Sequence, residues 1–99
     1  MESATPLSND AVEFLCEAIS LIVETYGIDG ISDANSTIET GAVFQGLKWP
    51  WDNAKAYGIT NELISHGLIV IHTANMAVGR LYVTAKGLDV CNQTEDQPG

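Results

Sequence analysis

The sequence predicts a mostly helical α+β domain, because helical and strand-forming patterns follow one another along the chain. Apolar residues recur every three or four positions over residues 11–26, which is the spacing of one helix face. Residues 68–73 are apolar and rich in β-branched side chains, as is typical of a strand. Gly67 is a suitable helix end and Thr84 a suitable helix start, so this strand region lies between two helices.

The size and composition of the chain fit one globular domain. Its 99 residues are 45% hydrophobic and 17% charged, which is usual for such domains. We expect a loose leader over residues 1–7, the folded domain over residues 8–92 and a disordered acidic tail over residues 93–99. No apolar run reaches the ~20 residues of a membrane helix. The N-terminal residues lack a secretory-signal pattern, so the expected location is cytoplasmic, in its own cell or an infected host.

Charge is strongly negative and unevenly distributed. The sequence has 4 Lys+Arg and 13 Asp+Glu, for a formal net charge of −9. Eight of the carboxylates lie in the first forty residues, where there is no Lys or Arg. The four cations are Lys48, Lys55, Arg80 and Lys86. This distribution predicts an acidic N-terminal pole beside a nearly balanced remainder.

The first predicted helix has one apolar and one acidic face. Ser8 and Asp10 are both suitable N-caps, and Asp10 with Glu13 has the spacing of a capping box. Phe14 and Leu21 widen the apolar face, which suggests a second packing partner such as another subunit. The predicted core positions are Leu15, Ala18, Ile19, Ile22, Val23 and Tyr26. The opposite face carries what we call the acidic stripe, namely Asp10, Glu13, Glu17 and Glu24.

A second helix is predicted over residues 37–47, where Ser36 and Glu39 have capping-box spacing. Gly41 and Gly46 weaken this helix and indicate a close backbone approach. Asp52 caps a third helix, which extends to residue 66 and turns Ala56, Ile59 and Leu63 inward. A strand, a hairpin tip, a returning strand and a final helix follow over residues 68–73, 74–79, 80–83 and 85–92.

The cysteines and histidines do not predict a metal site or an active site. Cys16 and Cys91 are 75 positions apart, and we expect buried, reduced thiols, with a disulfide between the first and last helices as the alternative. His66 and His72 have no Cys or carboxylate partner at metal-ligand spacing. No nucleophilic triad or glycine-rich phosphate loop is present. We therefore expect a non-enzymatic protein without a cofactor or metal.

The second half of the chain resembles a known fold family. Matching features are Leu63, the run Gly67-Leu68-Ile69, Tyr82 and the run Thr84-Ala85-Lys86-Gly87. Over residues 36–92 these features resemble winged helix-turn-helix domains of the MarR and PadR type. The resemblance implies three helices, a β-hairpin wing and a short C-terminal helix. The matching residues are ones that shape the fold, so the resemblance predicts the fold more specifically than it predicts the function.

In that family, DNA contacts come from the exposed face of the third helix and from a basic wing. The corresponding positions here are Asn53, Lys55, Tyr57 and Asn61 on the helix, with Arg80 at the base of the wing. Asparagines could read adenine edges, and Lys55 could contact phosphate or guanine. The tip of the wing contains no cation before Arg80.

The charge favours a protein partner over DNA. A duplex binder commonly neutralises about six to ten phosphates, which four cations per chain barely supply even in a dimer. We therefore expect a protein-binding module that docks on a basic nucleic-acid-binding partner. In its sharpest form, this expectation is a phage- or plasmid-type inhibitor of the anti-CRISPR or DNA-mimic kind. The acidic stripe and the aromatic and wing positions Trp51, Tyr57 and Met76 are its candidate contacts. We expect the module to be a homodimer that forms through the first and last helices. The alternative function is that of a dimeric winged-helix DNA-binding transcriptional regulator.

Overall fold

A computed structural model describes residues 7–72 and 79–96. Over these residues the chain forms four α-helices, a short 3-10 turn and a three-stranded sheet. The helices are α1 (Asn9–Tyr26), α2 (Thr40–Leu47), α3 (Asn53–Ser65) and α4 (Ala85–Asp96), and the strands are β1 (Ile38–Glu39), β2 (Ile69–Ile71) and β3 (Arg80–Val83). The predicted α+β class is confirmed, and the arrangement is compatible with a winged helix.

Helix α1 begins with a side-chain cap that also ties it to α3. The Ser8 hydroxyl oxygen accepts a hydrogen bond from the Ala11 N–H at 3.2 Å, which satisfies one of the free donors of the first turn. The Ser8 N–H and hydroxyl donate in turn to the two Glu62 carboxylate oxygens, at 2.8 and 3.0 Å. Of the two predicted caps, Ser8 is therefore the one used, and Asp10 lies inside the helix.

The apolar face of α1 forms the centre of the core. Phe14 is fully buried and packs edge-on against Phe44 of α2, with ring centroids 6.1 Å apart. Phe14 therefore has α2 of the same chain as its second packing partner, and Leu21 is half-buried, so packing against another subunit stays a prediction. Tyr26, predicted as core, is 41% exposed, and its hydroxyl donates to the Thr37 carbonyl at 2.8 Å. The buried residues of α1 are Ala11, Phe14, Leu15, Ala18, Ile19 and Ile22.

The start of the second helix differs from the prediction. Residues 37–39 are extended, and β1 pairs antiparallel with β3 so that Ile38 faces Leu81. The predicted capping box does not form, because Ser36 is buried and its hydroxyl donates to the Asp33 carboxylate at 3.1 Å. Glu39 precedes α2 without a side-chain cap bond. Pairing with a strand distant in sequence thus outweighs the local helix signal.

The two glycines of α2 have different surroundings. A Cβ at Gly46 would overlap the Glu17 carboxylate, which is the end of a flexible side chain and not backbone, so the predicted close backbone approach is not found there. A Cβ at Gly41 would meet no atom within 4 Å, so the prediction of a close approach is wrong there. Gly41 instead leaves open space on the outer side of α2.

Helix α3 follows the prediction closely. The Asp52 carboxylate accepts the Lys55 N–H at 3.2 Å and caps the helix. Ala56, Ile59 and Leu63 are buried as expected. Thr60 is also fully buried, which is possible because its hydroxyl donates to the Ala56 carbonyl at 2.8 Å.

The sheet has the order β1–β3–β2, and both pairings are antiparallel. β2 covers the middle of the predicted strand 68–73, and β3 has the predicted bounds 80–83. Thr84 connects the sheet to α4: its hydroxyl donates to the Gly67 carbonyl at 2.8 Å and accepts the Gly87 N–H at 3.1 Å. Residues 73–78, which include most of the predicted hairpin tip 74–79, lie outside the described residues.

Helices α1 and α4 are covalently linked. Cys16 and Cys91 form a disulfide, with Cα atoms 5.6 Å apart. The expectation of reduced thiols is therefore wrong, and the alternative, a bond between the first and last helices, is the one found. Side-by-side packing of these helices brings the cysteines together, which their sequence spacing could not reveal. Helix α4 also extends to Asp96, beyond its predicted end at residue 92.

Candidate functional site

The acidic stripe lies along α1, but its members have different surroundings. Glu13 and Glu24 are exposed to solvent. Glu17 is half-buried, because its side chain lies over Gly46 of α2. Asp10 is exposed, and its carboxylate lies 3.5 Å from the Lys55 ammonium group. The exposed carboxylates of the stripe that have no ion-pair partner among the described residues are therefore Glu13 and Glu24.

Lys55, a predicted DNA contact, is engaged within the molecule. Besides its contact with Asp10, its ammonium group lies 3.9 Å from the centroid of the Trp49 ring. A cation above an indole face is attracted by the ring quadrupole, and the nearby carboxylate adds to that attraction. Lys55 thus already has a carboxylate and an aromatic ring as neighbours.

Arg80, the predicted cation at the base of the wing, is also engaged. Its guanidinium donates to the Thr37 hydroxyl and to the Thr37 carbonyl, each at 2.9 Å. It also contacts the Glu39 carboxylate at 3.4 Å. These contacts hold Arg80 beside β1, so both Lys55 and Arg80 have an acidic neighbour among the residues that the structure describes.

The outer face of α3 is polar and uncharged. Asn53, Tyr57 and Asn61 are spaced four residues apart and are all exposed, with Tyr57 at 45%. Positions four apart lie on one side of a helix, so the structure brings these three predicted contacts together. The Asn53 side-chain oxygen accepts a hydrogen bond from the Trp51 indole N–H at 3.0 Å.

Four aromatic rings form a continuous cluster from the core to the surface. Phe44 contacts Phe14 on its inner side, and its ring centroid is 5.4 Å from Trp49 and 4.9 Å from Trp51. Trp51 forms the outer end and is 43% exposed. The cluster gives this exposed indole a fixed position, since the ring packs on Phe44 and its N–H is bonded to Asn53.

An open groove, which we call the aromatic groove, runs beside this cluster. It has a volume of about 370 Å³. Its lining residues are Glu39, Gly41, Ala42, Phe44, Gln45, Trp49 and Trp51. Of these residues, the sequence predicts Trp51 as a candidate contact. The available signal was the pair of tryptophans around Pro50, directly after a helix that contains two glycines.

The remaining predictions concern the tip of the wing, metal binding and the membrane. Met76 lies outside the described residues. Within the part of the chain that the structure describes, no group of three or more His, Cys, Asp or Glu side chains could hold a metal ion. No helix of residues 7–72 or 79–96 combines the length and the apolar character needed to cross a bilayer.

Comparison with known proteins does not assign the chain to a family. No protein-family model matches the sequence, and neither a curated protein nor a solved structure matches it significantly.

Proposed function

We propose that this chain is a non-enzymatic, acidic winged-helix module that binds a basic protein, and that the partner is a nucleic-acid-binding protein. In the sharpest form of this proposal, the module is an inhibitor of the phage or plasmid type. Its carboxylates then occupy the surface where the partner would hold a phosphate backbone. The proposal combines the fold resemblance of residues 36–92 with the charge of the whole chain.

The observation that carries the proposal is the internal pairing of the cations. Lys55 has Asp10 at 3.5 Å, and Arg80 has Glu39 at 3.4 Å. These are the two cations at the positions where a winged helix would contact DNA. Competition with these carboxylates costs a phosphate only ~0–1 kcal/mol for each exposed pair, and the net charge of −9 adds a general repulsion over the whole molecule. Both effects lower the affinity for a duplex and favour a basic surface instead.

The proposal is tested with charge reversals at matched positions. Glu13→Lys on α1 and Asp89→Lys on α4 change the charge of exposed residues by the same amount. We expect the wild type to retain basic nucleic-acid-binding proteins from a lysate, to release them when duplex DNA is added, and to bind them more weakly after Glu13→Lys. Asp89→Lys should have the smaller effect. Retention that is insensitive to both duplex DNA and Glu13→Lys would contradict the proposal.

A second candidate function is that of a DNA-binding transcriptional regulator, acting as a dimer. The exposed row Asn53, Tyr57 and Asn61 favours it, because amide side chains can read adenine edges in the major groove. Fluorescence anisotropy with random duplex at low salt separates the candidates. Sub-micromolar binding that falls steeply with salt, and that is lost after Lys55→Ala or Arg80→Ala, would establish the regulator and overturn protein docking.

A further inference from the structure

We infer that the aromatic groove receives an arginine side chain from the basic partner. This inference rests on the proposed function, and it names where and how a basic segment would be held. The groove combines the three things that a guanidinium group uses, which are an aromatic face, a carboxylate and a space that admits a planar group.

The aromatic face is supplied by Trp51, because the Lys55 ammonium group already lies over the Trp49 ring. Trp51 is 43% exposed, yet it is held by Phe44 and by its bond to Asn53. A ring that is fixed before binding loses little conformational entropy when a ligand stacks on it. The same cluster already holds a cation, since the Lys55 ammonium group lies 3.9 Å from the Trp49 centroid.

The carboxylate is supplied by Glu39 at the rim of the groove. Its side chain is 67% exposed and contacts the Arg80 guanidinium at 3.4 Å through one oxygen. An exposed ion pair of this kind is worth little, with typical values of ~0–1 kcal/mol. An arginine of the partner can therefore bind Glu39 beside Arg80, or in place of Arg80, at a small cost in free energy. The net charge of −9 also favours association with a basic partner.

The space is supplied by Gly41. A Cβ at this position would meet no atom within 4 Å, so a larger side chain fills the groove without displacing the protein. Its backbone is helical, without the positive φ that would exclude other residues. Gly41→Leu is therefore a variant that blocks the groove, and Gly41→Ala is the matched variant that adds only one methyl group.

The experiment uses the two tryptophans as reporters, because the chain has no others and both line the groove. Octa-arginine and octa-lysine peptides, each labelled for anisotropy, are titrated into the full chain at low salt, and tryptophan emission is recorded in parallel. We expect octa-arginine to change the emission and to bind more tightly than octa-lysine. Gly41→Leu, Glu39→Gln and Trp51→Ala should each weaken octa-arginine binding by about two- to five-fold, whereas Gly41→Ala and Tyr57→Ala should not.

The outcomes separate the groove from the broader proposal. If octa-arginine binds without changing the emission, and Gly41→Leu binds it as the wild type does, the groove inference is overturned. Loss of binding in Glu13→Lys under the same conditions would then place the contact on the acidic stripe, and the proposed function would stand. If neither peptide binds, the groove inference also fails. Circular dichroism of every variant confirms that it is folded.

Discussion

The hydroxyl of Thr84 joins two parts of the fold at a single residue. It caps α4 by accepting the Gly87 N–H at 3.1 Å, and it donates to the Gly67 carbonyl at the end of the α3–β2 connection. We expect Thr84→Val to lower the free energy of unfolding by about 1–2 kcal/mol, because both bonds are lost. Thr84→Ser keeps the hydroxyl and should retain most of the free energy of unfolding. Urea unfolding of the three proteins measures the difference, and equal losses in both variants would contradict this role.

Two helical glycines are expected to respond in opposite ways to the same change. A Cβ at Gly87 would lie 2.5 Å from the Leu68 carbonyl oxygen and 2.7 Å from a Val83 methyl, so Gly87→Ala should destabilise by about 1–3 kcal/mol. A Cβ at Gly58 would meet no atom within 4 Å, so Gly58→Ala should stabilise α3 by about 0.5–1 kcal/mol. Thermal unfolding checks both signs. A stabilising Gly87→Ala would mean that α4 does not pack this closely on the sheet.

At the scale of elements, what could be predicted from the sequence depends on where the determining contact lies. Helix α3 could be predicted because Asp52 caps it locally and its apolar residues repeat at helical spacing. Strand β1 could not, because it exists only through pairing with β3, about forty residues further along the chain. The lining of the aromatic groove could likewise be predicted only in part. Trp51 could be predicted as a contact from the sequence, whereas Glu39 and Gly41 line the groove only because β1 and α2 place them there.

The disulfide is the covalent link between two elements, and its removal should be measurable. Closing a loop of 75 residues reduces the entropy of the unfolded chain, so reduction should lower the free energy of unfolding by about 2–4 kcal/mol. Urea unfolding with and without dithiothreitol measures this. The double variant Cys16→Ser/Cys91→Ser serves as the control, since it should be insensitive to the reductant. Two free thiols in the native, unreduced protein would contradict the bond.

At the scale of the whole molecule, the net charge of −9 should itself affect stability. Self-repulsion among carboxylates disfavours the compact state, and salt screens it. We expect the Tm to rise by a few degrees between 20 and 300 mM NaCl. Reversing Glu13 and Glu24 to lysine raises the net charge by four units, to −5, and should reduce this dependence. A Tm that falls with salt would instead indicate that the ion pairs of Lys55 and Arg80 dominate.

The cellular compartment and the oligomeric state remain predictions at this scale. Disulfides persist mainly in oxidising surroundings and are rare in the cytosol. The bond between α1 and α4 therefore argues against the predicted cytoplasmic location. The expected homodimer has lost one of its supports, because Phe14 is covered by α2 within the same chain. Sedimentation of the oxidised and reduced protein would determine whether either form associates.

The Cys16–Cys91 bond turns most of the polypeptide into a covalent ring, which encloses the second and third helices and the whole sheet. A protease that cuts one peptide bond inside this ring leaves its two fragments attached to each other. The nicked molecule would migrate as a single species in electrophoresis without reductant and separate into two bands with it. The disulfide-bonded protein should therefore keep both fragments together after a protease cleaves one peptide bond inside the ring.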